Sequence, residues 1–419
     1  MITIYSSSGN TKRLKFVAGH LFDSVLGAGF RMTSDAVFYR AQTGPCLNYS
    51  DENLHHGIQI FPHGLLRETG IHPIQELQIA EWNGLFCFFH SGKGDIPFDV
   101  FAASFYLLSL YEEYMATPPD EHGRFDHRHS LLYRNDLLEM PVVDRWAYQI
   151  KEALEKAGFS TAGFQLRKYR AVDTYDIDHP FLYRYKGFIK NAGGSLRDAL
   201  KGNPKAIKER LSVLFVGRED PYMKAIRLIQ SVQKQSQKNY YLFVLLGKNG
   251  KYGRSTVYPP KEYYLYLREL NAVAIGLHPS YETYSSFLSL ISEKRQLEKI
   301  LQQAIVCSRQ HFLRMQMPGT FQALLQAGIR EDFTLAFAQA PGFRSGTAVP
   351  HPFYDLQKEE PTDLLLHPTI MMDSTLIFHL KLAPEVALEK IKSLIDACKL
   401  SGGDYLSLWH NSNLAGSDE

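Results

Sequence analysis

From about Arg167 onward, short apolar runs alternate with amphipathic segments of helical length, and this alternation restricts the fold more than any other feature. A chain that reads strand, helix, strand favours a parallel sheet or a (β/α) barrel. The expected strands are Arg170–Tyr175, Asn239–Leu246, Ala272–Leu277, Phe333–Phe337, Asp363–Pro368 and Tyr405–Trp409. The expected helices between them are Asp220–Gln237, Lys261–Leu270, Tyr284–Cys307 and Pro318–Ala327. A last helix, Glu385–Leu400, carries Val386, Leu388, Ile391, Leu394, Ile395 and Cys398 at helical spacing. An insert from Tyr183 to Arg218 holds about nine basic residues against two acidic ones. It reads as a solvated helical excursion, or as a flank for an anionic substrate.

Before residue 165 the pattern differs. Leu85 to His90 reads as a buried strand, and Asp99 to Tyr114 as a buried helix with Asp99 at its N-cap. A polar stretch follows, in which Asp120, His122, Arg124, Asp126, His127 and His129 crowd one loop. That loop is open to three readings: a hydrogen-bonded domain contact, a second metal site, or a segment reaching over a barrel mouth. Val142 onward gives a helix ending near Gly158. A smaller α+β domain over residues 1–165 and a (β/α) domain over 166–419 are therefore expected.

Composition narrows the function classes. The formal net charge is +2, which gives no global argument for nucleic-acid binding. No apolar run reaches membrane-spanning length, and the N-terminus lacks a basic segment followed by an apolar core, so a cytoplasmic location is expected. Cys46, Cys87, Cys307 and Cys398 are scattered, without a Cys-x-x-Cys pair, as buried free thiols would be.

The chemistry-bearing residues gather at strand ends, where sites form in barrels and open parallel sheets. Asp176 and Asp178 close the first strand two residues apart, so both face one space. Two carboxylates there repel unless a cation or a proton sits between them, which suits a metal ligand beside a general base. His278 and Ser280 close the strand ending at Leu277. Arg309, His311 and Arg314 follow the long helix. Arg330 and Asp332 come next, then Arg344, and Leu408, Trp409 and His410 close the last strand.

In this order and spacing the residues resemble the polysaccharide deacetylase superfamily, the NodB-homology or carbohydrate esterase family 4 group. The resemblance covers about residues 168–415 and implies a distorted or incomplete (β/α) barrel and a metal-dependent hydrolase of carbon–nitrogen bonds. It implies that Asp176 is the general base and that Asp178 and His278 hold a divalent metal. Zinc is the first expectation, with cobalt, nickel or manganese as the other ions considered. It further implies an Arg, either Arg309 or Arg314, beside Asp176, and His410 as general acid with Asp332 raising its pKa. His367, also at a strand end, ranks below His410.

The chain departs from the family at the second histidine, four residues after His278, where Glu282 stands. Either Glu282 or His311 is left to complete the metal shell. Arg344 and Trp409 are candidates for substrate contact. The implied substrate is an N-acetylated sugar or glycoconjugate. The alternatives are another amide of the allantoinase or cyclic-imidase kind, or a non-catalytic carbohydrate-binding protein. The segments at Pro97 to Asp99, Tyr111 to Tyr114, Asp120 to Phe125 and Pro141 to Asp144 resemble an uncharacterised domain that precedes such deacetylases in some bacterial chains; no chemistry comes with it.

Overall fold

The computed structural model describes residues 1–419 except 8, 10, 75–76, 237–239, 248–251, 254–258, 271 and 416–419. Two main sheets organise it. In the first, β1 (Ile2–Ser6), β2 (Phe30–Thr33), β3 (Cys46–Tyr49) and β4 (Ile58–Ile60) pair in the order β2-β1-β3-β4, and every pairing is parallel. The N-terminal region is thus an α/β unit and not the expected α+β one; β1 is completely buried, as a central parallel strand must be. A short antiparallel pair, β5 (Ala80–Trp82) and β6 (Leu85–Cys87), lies apart from it.

The second sheet has nine strands. They are β7 (Arg170–Ile177), β8 (Tyr240–Leu245), β9 (Ala274–His278), β10 (Cys307–Ser308), β11 (Glu331–Asp332), β12 (His351–Asp355), β13 (Glu360–Leu366), β14 (Met371–Met372) and β15 (Asp404–His410). Their order is β12-β13-β11-β10-β9-β8-β7-β15-β14. All pairings are parallel except β12 with β13. Eight parallel strands, curled and left open between β12 and β14, agree with the expected distorted, incomplete barrel.

Several expected elements shift. Phe333–Phe337 is not a strand: pairing stops at Asp332, and the segment turns inward with Phe333, Thr334 and Leu335 wholly buried. The long helix is shorter than expected, Phe287–Leu301, because Gln302 adopts a left-handed conformation and ends it. The helix Pro221–Ser236 and β8 match their expectations, whose ends at Gln237 and Asn239 lie outside the described residues. Among the described residues, no helix is long and apolar enough to cross a membrane.

The two sheets are joined by a common interior. Tyr354, on β12, packs its ring 5.0 Å from both Phe16 and Phe105 of the N-terminal region. Phe337, Val349 and Leu356 belong to the same buried cluster as Ile4, Phe101 and Trp146. Buried polar bonds reinforce the seam. The wholly buried Asp144 accepts from the Thr347 hydroxyl at 2.5 Å and from the Ala348 N–H at 2.9 Å. Arg13 makes a two-pronged contact with Glu359, at 3.0 and 2.5 Å. Gly346 has φ +70°, which favours glycine, and a Cβ there would press on side-chain methyls of Leu107 at 2.9 Å and Val142 at 3.2 Å.

Candidate metal centre and its cavity

Register brings the key residues together. His410 on β15 pairs with Asp176 on β7, Asp176 pairs with Phe243 on β8, and Phe243 pairs with Gly276 on β9. This row crosses the sheet near the C-terminal strand ends. Gly276 is needed there, since a Cβ would sit 2.6 Å from the Phe243 ring and 2.8 Å from the Cys307 carbonyl. The ring that uses this space carries the Arg309 guanidinium at 4.7 Å from its centroid.

Arg309 is completely buried and donates from Nη1 to Asp176 Oδ1 at 3.0 Å. Its Nε bonds the Phe333 carbonyl at 3.0 Å and its Nη2 the Thr369 hydroxyl at 3.3 Å. Burial lowers the guanidinium pKa, and the Asp176 charge opposes that shift. Of the two arginines considered for this place, Arg309 occupies it.

Asp178, His278 and His311 bring one ligand atom each to within 4.8 Å of one another, the only such trio of His, Cys, Asp or Glu side chains among the described residues. His278 Nδ1 lies 2.6 Å from the Arg309 carbonyl, which makes Nδ1 the protonated nitrogen and leaves the Nε2 lone pair facing the carboxylates. Nε2 is 3.2 Å from Asp178 Oδ1 and 3.6 Å from Asp176 Oδ2. The shorter of these lacks hydrogen-bond geometry: His278 Nε2 and Asp178 Oδ1 are both buried without a hydrogen-bond partner, and His311 presents its Nε2 at 3.8 Å from the same Oδ1.

Orphaned buried polar atoms are costly, and a cation between them removes the cost. Ligands held at about 2.1 Å on a first-row ion stand roughly 3 to 3.5 Å apart, so the 3.2 Å separation fits. Two imidazoles and one carboxylate form a donor set suited to such an ion. The local charges agree. Burial works against an ionised Asp178, but His311, His278 and His410 hold its pKa well below the ordinary carboxylate value. Burial would depress His278, yet Asp176 and Asp178 raise it. Glu282 lies outside the trio, exposed on the turn Tyr281–Ser285. That turn carries its side chain away into solvent, so His311 is the third residue of the cluster.

His410 faces the same cavity and is held by Asp373. Its Nδ1 is 2.6 Å from Asp373 Oδ1, and its backbone N–H donates to Oδ2 at 2.8 Å. Asn413 also donates to Oδ2, at 3.0 Å. Burial lowers the imidazole pKa, but Asp373 first, then Asp178 and Asp176, raise it to about 9. Asp332 does not reach His410. It accepts from the Ser308 hydroxyl at 2.7 Å and the Thr334 N–H at 2.9 Å, behind Arg309, and its pKa is raised by burial despite those bonds. Asp373 is the residue sequence reasoning missed. It follows the two-residue strand β14, whose Met372 pairs with Leu408, so the Asp is delivered beside His410. An Asp directly after a short apolar run, Ile370 to Met372, was the available signal.

Three other expectations are corrected. Arg314 does not meet Asp176; it donates to the His122 carbonyl at 2.7 Å and the Tyr281 carbonyl at 3.1 Å, between the rings of Tyr281 and Tyr284. Arg344 is buried in a two-pronged pair with Glu113 at 2.8 and 2.7 Å, so it belongs to the seam and not to a substrate surface. Trp409, alternating with His410, points to the opposite side of β15 and bonds the Ser407 hydroxyl at 2.9 Å. His367 stacks on Phe333 and lies 2.8 Å from Glu331, also outside the cavity.

The cavity above the trio measures about 430 Å³, ordinary for a small-molecule site. Leu313, Ala338, Met372 and Leu408 give it an apolar wall. Glu121, His122 and Arg124 of the N-terminal region complete its rim. The crowded polar loop is therefore the segment at the barrel mouth. Asp120 folds it, accepting from the N–H groups of His122 and Arg124 and from Arg124 Nε. Arg124 then donates to the Phe312 carbonyl at 2.5 Å, and the Tyr284 hydroxyl donates to the Gly123 carbonyl at 3.0 Å. Phe312 and Leu313 both have positive φ, 62° and 50°, an uncommon strain for side-chain-bearing residues next to His311.

Residues 2–158 match the model of a family described as a family of unknown function, DUF7033. No curated protein matches the sequence significantly. Among solved structures, one described as a "putative polysaccharide deacetylase" from Mycobacterium smegmatis is similar at 12% identity and a TM-score of 0.37, covering 58% of this chain and 77% of that one.

Proposed function

We propose that the protein is a metal-dependent amide hydrolase that removes the acetyl group from an N-acetylated sugar or glycoconjugate. The observation that carries this reading is a pairing. One cavity holds an arginine-anchored carboxylate, Asp176, and a carboxylate-anchored imidazole, His410, beside the Asp178–His278–His311 trio. The ordered motifs over residues 168–415 point the same way.

In this reading Asp178, His278 and His311 hold a divalent cation, zinc first among the first-row ions. Bound there, it supplies Lewis acidity toward an amide carbonyl and toward water. Asp176 takes the proton from the attacking water. The Arg309 bond to its Oδ1 holds the carboxylate turned so that Oδ2 faces the cavity. His410 gives a proton to the departing amine. Asp373 occupies Nδ1, so Nε2 is the nitrogen left to act, and a pKa near 9 keeps the ring charged at neutral pH. The apolar wall of Leu313, Met372 and Leu408 suits the methyl of an acetyl group. The rim residues Glu121, His122 and Arg124 meet whatever extends beyond it, and so set the choice of substrate.

The test is metal content together with acetate release. Purified protein should carry or take up a transition metal in one-to-one ratio and release acetate from some member of a panel of N-acetylated sugars and conjugates. Absence of metal uptake on titration would sink the reading. Metal uptake with hydrolysis only of cyclic amides would keep the chemistry and replace the substrate.

A further inference from the structure

The helical excursion that leaves β7 is built inside out. Its first helix is Phe188–Leu200, and its second, Pro204–Leu211, continues through Ser212–Val216. Phe188, Ala192, Leu196 and Leu200 recur every four residues and so share one helix face. That face is in solvent: Phe188 is 86% exposed, Leu196 64% and Leu200 81%. Ile189 beside it is 86% exposed, and on the second helix Phe215 and Val216 are 78% and 80% exposed.

The polar residues point inward instead. Arg210, buried, donates to Asp198 at 2.5 Å and stacks 4.8 Å over the Tyr183 ring, while Asn191 donates to the Tyr183 carbonyl at 3.0 Å. Tyr183 in turn donates to Glu209 at 2.9 Å. Both acidic residues of the excursion are thus engaged inside it. Its exposed charges, among them Arg197, Lys201, Lys205, Lys208 and Arg218, are all positive.

We infer that this excursion is a membrane-docking element that lays its apolar face into an anionic phospholipid surface. Large apolar side chains turned outward and ringed by lysines and arginines are the composition of interfacial helices. A second copy of the chain is a poorer occupant, because a self-paired face would set these cations against one another. The element leaves the sheet at the C-terminal end of β7, the end at which the cavity lies. Asp220 accepts the N–H groups of Leu182, Tyr183 and Arg184 and so pins the neck just beyond Asp178. At the same end of the sheet, after β14, Ile377 and Phe378 are 47% and 59% exposed, and Phe378 lines the cavity. The docking element and the cavity therefore share the C-terminal end of the parallel strands.

Vesicle sedimentation of the full chain tests this without reference to turnover. Vesicles containing phosphatidylglycerol should carry the protein down, phosphatidylcholine alone should not, and high salt should weaken the binding. The variant Phe188→Ser/Leu200→Ser/Phe215→Ser changes only exposed side chains, and should lose at least about tenfold in partitioning while keeping its circular dichroism and melting midpoint. Lys201→Glu/Lys205→Glu/Lys208→Glu should lose binding to the anionic vesicles comparably. Absence of binding, or equal binding to both vesicle types, would overturn the inference. So would a wild-type dimer in light scattering that becomes monomeric in the serine variant, since a second copy would then be the occupant.

Discussion

Asp373 grips His410 at two points, the ring through Oδ1 at 2.6 Å and the backbone N–H through Oδ2 at 2.8 Å. One carboxylate thereby sets the tautomer, the orientation and the charge of the imidazole. The pair is also a pH device. The folded-state pKa of about 9 lies above the ordinary 6.5, so the stability it contributes is complete below 6.5 and is lost as pH rises through 9. Asp373→Asn should pull the alkaline limb of the kcat profile down by about one unit or more and lower the plateau by roughly a hundredfold. A profile unchanged in position would remove Asp373 from this role.

The metal trio predicts an asymmetry between two candidate ligands. His311→Ala should weaken metal affinity by at least about a hundredfold, the upper range for disturbing even an outer partner. Glu282→Ala should leave affinity unchanged, since its side chain stands in solvent. Titration calorimetry with zinc measures both; the opposite ranking would reverse the assignment of the third ligand.

Arg309 is a buried charge balanced by one carboxylate. Replacing it with Met strands Asp176 at 2% exposure and should cost about 3–5 kcal/mol of unfolding free energy. The double variant Arg309→Met/Asp176→Asn should recover a substantial part of that loss. Urea denaturation of the four proteins closes the cycle, and simple additivity of the two single losses would show that the pair is not coupled.

The shared interior predicts that residues 166–419 will not fold alone. Without the N-terminal region, Tyr354, Phe337 and Leu356 face water and Arg344 loses Glu113. The full chain should unfold in a single transition, and the isolated segment should be insoluble or lack a cooperative one. Two separate transitions in the full chain would contradict this.

What was legible in the sequence follows from locality. Strand–helix alternation after Arg167 is a local pattern, and it led to the parallel sheet. Asp176 and Asp178 stand together because strand periodicity alone places them so. His311 against Glu282 was not decidable in this way, because the choice depends on how the two-residue strand β10 aims its following turn. The same holds for Asp373 against Asp332. Both follow very short strands, and only the pairing of β14 with β15 selects which reaches His410. The all-parallel N-terminal sheet went unseen because strands of three to five residues carry too little periodicity to separate from loops.

The mouth loop and the turn that bears His311 hold each other. Arg124 reaches the Phe312 carbonyl from one side, and Arg314 reaches the His122 carbonyl from the other. A histidine of the candidate metal shell thus stands on a strained turn clasped by the N-terminal region. Exchange of that region between relatives would disturb the candidate metal trio as well as the cavity rim. The two halves of this chain are therefore expected to be inherited as one unit, with changes on either side of the clasp matched by changes on the other.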